Sequence, residues 1–438
     1  MRTDPVRMVP VAALLLLGPA LINGYPLVYA DTGTYLTSGF QLGIPADRPV
    51  GYGLFCRLFS GDGLSLWGVV IAQALLTAVV LVHAWQVVVA RRWGLFLATT
   101  ALLSATTGLG WYTGRLLPDV FTPLAIVSTT LLMLTPLSRW WRLGHAAVII
   151  LACTTHFSHL VIVPATAVIA LVTQLVLHRK RPMPAGSIVV IGAVTLSALA
   201  LAASNRWAGR GWELSRGTPL FLLGRVVDAG ALPDALARHC PTAHWSLCDA
   251  PVPADSRALL WGPDGAVTRA GGWDAFLPEA RTITAVLLRD DAVRAALWRS
   301  AWRDGVGQLT HWGVGEIAFA WYRKPVSPPY LAVLHDVPHE LNDYLASMQN
   351  GGRRGELQLR TVDRAHTIVL ALGLLGLLAL LLRGGLNPGE RTLLVVLVVG
   401  TLFAAMSCAA LSLPDQRFLA RVSWLIPWGA VAIAAGRR

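Results

Sequence analysis

The chain has 438 residues, of which 55% are hydrophobic and only 14% charged, with a net charge of +12 and a mean hydropathy of +0.56. A soluble domain carries about 25% charged residues, so a purely soluble fold is excluded. The positive charge is almost all arginine, Lys180 and Lys324 being the only lysines. It falls in short clusters between apolar runs, not in a basic stripe interleaved with aromatics, which excludes nucleic acid as a partner.

Apolar runs near 20 residues match an α-helix crossing roughly 30 Å of hydrocarbon. They predict an all-α polytopic membrane protein with about ten transmembrane helices, at 8–24, 65–90, 94–110, 118–137, 145–160, 160–178, 187–204, 365–382, 391–411 and 422–436. Residues 1–204 hold the first seven spans, with an external loop at 25–64, and residues 364–438 hold the last three. Between them, 205–363 reads as one extracytoplasmic domain rich in Trp, Pro, Gly and Arg, with helical pieces at 219–236 and 282–302 and a Pro/Gly-rich loop at 250–275.

Basic clusters orient the spans. Arg2 and Arg7, Arg91 and Arg92, Arg139 and Arg142, the His178-Arg179-Lys180-Arg181 run, Arg383 and Arg391, and Arg437 and Arg438 fall on one side of a ten-span chain. The positive-inside rule makes that side cytoplasmic. The chain is thus expected in the inner cell membrane, multi-pass, with both termini cytoplasmic and the large loop outside. A cleavable signal peptide ending at Ala30 is the competing reading of the first segment.

Cys56, Cys153 and Cys408 lie in or near apolar segments and read as small hydrophobes. Cys240 and Cys248, in the sequence CPTAHWSLC, predict a disulfide closing a short loop in an oxidising compartment.

Three elements on the external side concentrate charge at a membrane boundary, where an ionised group is costly unless it meets water, a partner or a substrate. The first is YADTGTYLTSGFQLGIPADRPVGYGLF at 29–55, carrying Asp31, Asp47 and Arg48. The second is Arg115-Leu116-Leu117-Pro118-Asp119, and the third Pro414-Asp415-Gln416-Arg417-Phe418-Leu419. A fourth feature is the pair His156 and His159, in the narrow turn between spans five and six.

In these elements the chain resembles the GT-C superfamily, the polytopic glycosyltransferases that use polyprenyl-phosphate sugars. The resemblance rests on Asp31 soon after span one, on Arg48-Pro49-Val50-Gly51-Tyr52-Gly53 against an R-P-x-x-Y-P-like pattern, on Pro118-Asp119 before a later span, and on Arg417-Phe418-Leu419. Gly53 departs from that pattern, and 205–363 matches no domain of the family. The resemblance covers the membrane core. It implies a polyprenyl-phosphate sugar donor, a membrane-lipid setting and transfer of the sugar to an extracytoplasmic acceptor.

The chemistry of the residues agrees. Such a transfer needs a base for the acceptor hydroxyl and a cation for the departing phosphate. Asp31 is the expected base, and Arg417, then Arg48, the expected phosphate contacts, since guanidinium fits phosphate oxygens in a bidentate manner. Asp119 is open to three roles: orienting the acceptor, holding Arg115, or joining Asp31 as a metal ligand, so a divalent metal ion stays an open cofactor. His156 and His159 read either as phosphate or metal contacts or as interfacial hydrogen bonders. Each assignment has a plainer rival. Asp31 is also placed to cap a helix opening at Thr32, Asp119 to supply an acidic first turn, and Arg417 to pair with Asp415. A transporter or lipid flippase, a non-catalytic assembly component, and an O-antigen ligase or polymerase are the rival functions. A transporter predicts ionisable groups deep in several spans, where this sequence offers mainly His83. Trp245, Trp261 and Trp273 fit either a core or sugar stacking.

Overall fold

A computed structural model describes residues 5–178, 185–352 and 355–437. Of the basic clusters, Arg2, Arg179, Lys180, Arg181 and Arg438 lie outside the described residues. Among those described, every regular element is helical, and the one β feature is an isolated parallel bridge between Leu27 and Arg115.

In chain order, α1 (Met8–Asn23) is followed by two short helices, α2 (Ala30–Phe40) and α3 (Gly51–Phe59), and then by α4 (Trp67–Val88) and α5 (Trp93–Thr106). Next come α6 (Phe121–Leu134), α7 (Arg139–Thr155), α8 (His159–His178) and α9 (Ala185–Trp207). The polar region supplies α10 (Thr218–Asp228), α11 (Leu232–His239), α12 (Trp273–Leu287), α13 (Asp291–Gly307) and α14 (Pro328–Asp336). The chain returns through α15 (Arg360–Arg383), α16 (Pro388–Leu411), α17 (Gln416–Ser423) and α18 (Leu425–Gly436).

Among the described residues seven helical segments are long and apolar enough to cross a membrane: Pro5–Asn23, Trp67–Val88, His159–Leu177, Ala185–Trp207, Arg360–Arg383, Pro388–Leu411 and Gln416–Gly436. The protein is a multi-pass, all-helical membrane protein. Three of the ten expected spans are shorter helices, namely α5, α6 and α7. The last segment also differs, because helix begins at Gln416 and not near 422. Arg417 and Arg421 therefore ride on helix where a turn was expected. The cause is Asp415, whose side chain accepts a hydrogen bond from Arg417 N at 3.0 Å and so caps α17.

The polar region also departs from expectation. The helix expected at 219–236 is two helices separated at Gly230, whose φ of +68° is left-handed and favours a residue without a Cβ. That expected at 282–302 breaks before Asp290, which caps α13 by accepting from Ala292 N and Val293 N. Residues 250–275, expected as loop, hold two short helices, Ser256–Trp261 and Ala266–Arg269. Leu220, Leu223, Leu260, Phe276, Ile283 and their neighbours form a separate small core, with Phe221, Trp261 and Trp273 packed together beside it. The disulfide Cys240–Cys248 lies against this core. The following stretch behaves differently. Tyr322, Val333, Val337 and Tyr344 belong to the core of the membrane bundle itself.

Membrane helices must satisfy their own backbone groups. Pro19 inside α1 removes the donor that Leu15 O would accept from, and Ser104 of α5 supplies it instead, its hydroxyl donating to Leu15 O at 2.8 Å. Asn387 and Glu390 cap the start of α16 reciprocally, with Pro388 in the first turn.

Candidate functional site

The site is built on an extended strip, residues 25–29, whose backbone bonds come from several distant segments. Leu27 N donates to Gly114 O at 2.9 Å, and Leu116 N donates to Leu27 O at 2.8 Å. The Gln349 side chain pairs with Val28 as a strand would, accepting from its N–H at 3.0 Å and donating to its carbonyl at 2.9 Å. Beneath, Gln73 of α4 donates to the carbonyls of Thr113 and Arg115 at 2.8 and 2.9 Å, and accepts from Tyr52 Oη at 2.6 Å.

The first turn of α2 then presents Asp31. Thr32, not Asp31, closes the helix start, its hydroxyl accepting from Tyr29 N at 2.9 Å. Asp31 is thus released from the capping role and lies between two guanidiniums: Arg48 Nη1 at 3.2 Å from Oδ1 and Arg417 Nη1 at 3.0 Å from Oδ2. Arg48 is shared with Asp47, at 2.7 Å, and sits over the Tyr35 ring. Arg417 points to Asp31 and not to the Asp415 carboxylate, its plainer rival partner. Its other support is Tyr29, whose ring lies 4.9 Å from the Arg417 guanidinium and 4.3 Å from that of Arg115.

Asp119 and Arg115 do not pair with each other. Asp119 bonds to Arg421, which also donates to Cys408 Sγ at 3.1 Å. Arg115 reaches Glu316 at 3.4 Å. Exposure orders the groups from rim to floor: the side chains of Asp31, Arg417 and Arg48 are 28%, 17% and 14% exposed, those of Asp119, Arg421 and Arg115 only 3%, 1% and 0%. Only the first three can touch a substrate without rearrangement. Among the described residues, Asp119 Oδ2, Arg417 Nε, Arg421 Nε and two nitrogens of Arg115 are buried without a hydrogen-bond partner, an unusual density of unspent polar capacity.

Burial pushes the Asp31 carboxyl upward, but Arg48 and Arg417 overcome it and hold it well below the usual carboxylate range. Glu316 goes the other way. Burial, opposed by Arg115 and reinforced by the neighbouring Asp415 carboxylate, raises it. Asp415 is kept ionised by Arg417 and by the hydrogen bond from Glu316, against its own burial.

The two histidines part company. His159 is fully buried and bonded at both nitrogens, to Thr122 Oγ1 at 2.8 Å and Ala152 O at 2.6 Å, so it ties α6, α7 and α8 together. His156 is half-buried and held by Ser158, 2.8 Å from its hydroxyl. His83, the one ionisable group expected inside a span, bonds to His145 at 2.9 Å, which bonds to Ser128 at 3.0 Å. No group of three or more His, Cys, Asp and Glu side chains among the described residues is arranged to hold a metal ion.

Arg421, Glu316 and Tyr29 were not foreseen as site residues. The spacing Arg417…Arg421 was a usable signal, since i and i+4 share a helix face, but it required helix to begin at Gln416. Glu316, in HWGVGEIAF, gave none. No family model, no curated protein and no solved structure matches this chain.

Proposed function

We propose that the protein is a membrane glycosyltransferase that moves a sugar from a polyprenyl-phosphate donor to an extracytoplasmic acceptor, with inversion. The observation that carries this reading is Asp31 held between Arg48 and Arg417 on a half-buried rim at one end of a bundle of apolar helices. A carboxylate so clamped is ionised but a weak base. A donor phosphate that recruits Arg417 would take one cation from Asp31 and raise its proton affinity, so that the base strengthens when the leaving group is bound. The acceptor oxygen then bonds to the anomeric carbon, the bond from that carbon to the phosphate oxygen breaks with its electron pair going to phosphate, and the acceptor proton passes to Asp31.

The ten-span arrangement in the inner membrane, with both termini cytoplasmic and 205–363 outside, belongs to the same reading. It is supported by Arg91, Arg92, Arg139, Arg142, Arg383 and Arg437, which occupy helix ends away from the site. Asp119 serves in this scheme as the fixed counter-charge of Arg421 and not as a metal ligand.

The test is incubation of the purified protein with radiolabelled polyprenyl-phosphate sugars and candidate acceptors. Transfer should occur with the native chain and fall at least about a hundredfold, the usual scale of a general base, in Asp31→Asn at unchanged abundance and donor binding. Full activity of that variant would remove Asp31 from the mechanism. A translocator is the second reading, favoured by the buried Asp119–Arg421 ion pair. Donor flipping in proteoliposomes without any sugar transfer would establish it instead.

A further inference from the structure

Helix α13 has two faces with different fates. Ser300 and Asp304 face inward and bond to Arg225 Nη2 at 3.0 and 2.8 Å, while Arg225 also donates to Ser412 O just beyond α16. Gly305 is buried against Met406 and Ala410 of α16. The face opposite Ser300 and Asp304 carries Trp298, Trp302 and Val306 at every fourth position, 77%, 72% and 40% exposed, with Gly305 at its α16 edge. Arg299 and Arg303 alternate with them and are exposed too.

The depth of this face follows from α16. Its 24 residues span about 36 Å, a little more than the roughly 30 Å hydrocarbon layer. Met406 lies five residues from its end, about 7 Å at 1.5 Å per residue. The C-terminal half of α13 is therefore level with the boundary between acyl chains and headgroups. Two tryptophans that each bury about 150–250 Å² when covered stand open next to that level, Trp302 three residues before Gly305 and Trp298 one turn earlier. The ends of the neighbouring spans are also open: Leu411 of α16 is 60% exposed, and Trp312, whose Nε1 donates to Thr367 of α15 at 2.9 Å, is 37% exposed. Tryptophan at this height with arginine beside it is complementary to lipid, the ring among the upper acyl carbons and the guanidinium at the phosphates.

We propose that α13 is an interfacial helix, seated by Trp298, Trp302 and Val306 in the lipid leaflet at the level of the candidate site. The occupant of this face is lipid, and the proposal stands independently of glycosyl transfer. It has a direct structural link to the site. Gln308, immediately after α13, brackets the backbone of Asp415, donating to its carbonyl and accepting from its N–H, both at 2.9 Å. The leaflet thereby sets the height of Asp415, the cap of the helix that carries Arg417.

Nitroxide labels on Trp298→Cys and Trp302→Cys in the full chain, reconstituted in phosphatidylcholine–phosphatidylglycerol nanodiscs, test the seating, with exposed Asp264→Cys as the aqueous reference. Oxygen should relax the labels at 298 and 302 more effectively than a water-soluble nickel chelate, with the order reversed at 264. Nickel access at 298 and 302 equal to that at 264 would overturn the proposal. So would exclusion of both relaxants together with spin–spin broadening, which would assign the face to a second copy. Hydroxyl-radical footprinting of the unmodified protein gives an independent readout: Trp298 and Trp302 should be modified less than Trp261, which is 52% exposed, and equal modification counts against lipid.

Discussion

At the scale of single residues, the site is a chain of charge partners in which Glu316 is set apart from Asp31 and Asp415 in proton affinity. Asp31 and Asp415 are held ionised by arginine, whereas Glu316, which has Arg115 at 3.4 Å but also Asp415 beside it, is raised. The sign of the stability effect follows. A carboxyl whose folded value is raised stabilises the fold fully below its unfolded value, about 4.3 for Glu, and that contribution is lost as pH rises through the raised value. Thermal midpoints of the native chain in detergent should therefore fall as pH increases from the acidic range through neutrality, and Glu316→Gln should flatten that slope. An unchanged slope would show that Glu316 ionises without cost. Asp31 and Arg417 were legible in the sequence because charge at a membrane boundary is expensive and therefore conspicuous. Their partnership was not, because Asp415 two residues away was an equally good candidate for Arg417 until the cap at Asp415 was seen to use that carboxylate on the backbone.

At the scale of elements, α2 carries Asp31, Arg48 lies just before α3, and the two helices meet backbone to backbone at Gly39 and Gly53. A Cβ at Gly39 would overlap the backbone of Gly53, and one at Gly33 would overlap Pro328 at the start of α14. Gly39→Ala should thus destabilise by about 1–3 kcal/mol, the usual cost of overpacking, read as a lowered unfolding midpoint. Gly18→Ala, where nothing lies within 4 Å of the new atom, should be neutral or stabilising by about 0.5–1 kcal/mol. Equal effects of the two would mean that the α2–α3 contact is slack. Long apolar runs such as Trp67–Val88 and Pro388–Leu411 were readable from composition alone, since hydrocarbon thickness fixes their length. The breaks at Gly230 and before Asp290 were not, because local apolar periodicity runs through both and only the turn geometry and the Asp290 cap interrupt it.

At the scale of the whole molecule, residues 205–363 serve two structures. The part up to α13 has its own core and disulfide, while Tyr322, Val333 and Tyr344 complete the core of the bundle. The sequence showed one polar block because both parts share its composition, and the allegiance of the second half depends on contacts with residues hundreds of positions away. The sidedness is open to direct measurement. A membrane-impermeant maleimide on intact cells should label Asp264→Cys at once and Arg391→Cys only after permeabilisation, with Cys240 and Cys248 silent unless reduced. The reverse order would invert the topology.

The Asp31–Arg417 contact joins positions 386 residues apart. During synthesis the carboxylate follows α1, while its second cation arrives only with α17. Among the described residues Arg48 is the one guanidinium paired with Asp31 in the interval. The strip at 25–29 waits similarly for Gln349. A ribosome must therefore have reached Arg417 before the clamp on Asp31 is complete, and α17 works as a closing piece of its assembly.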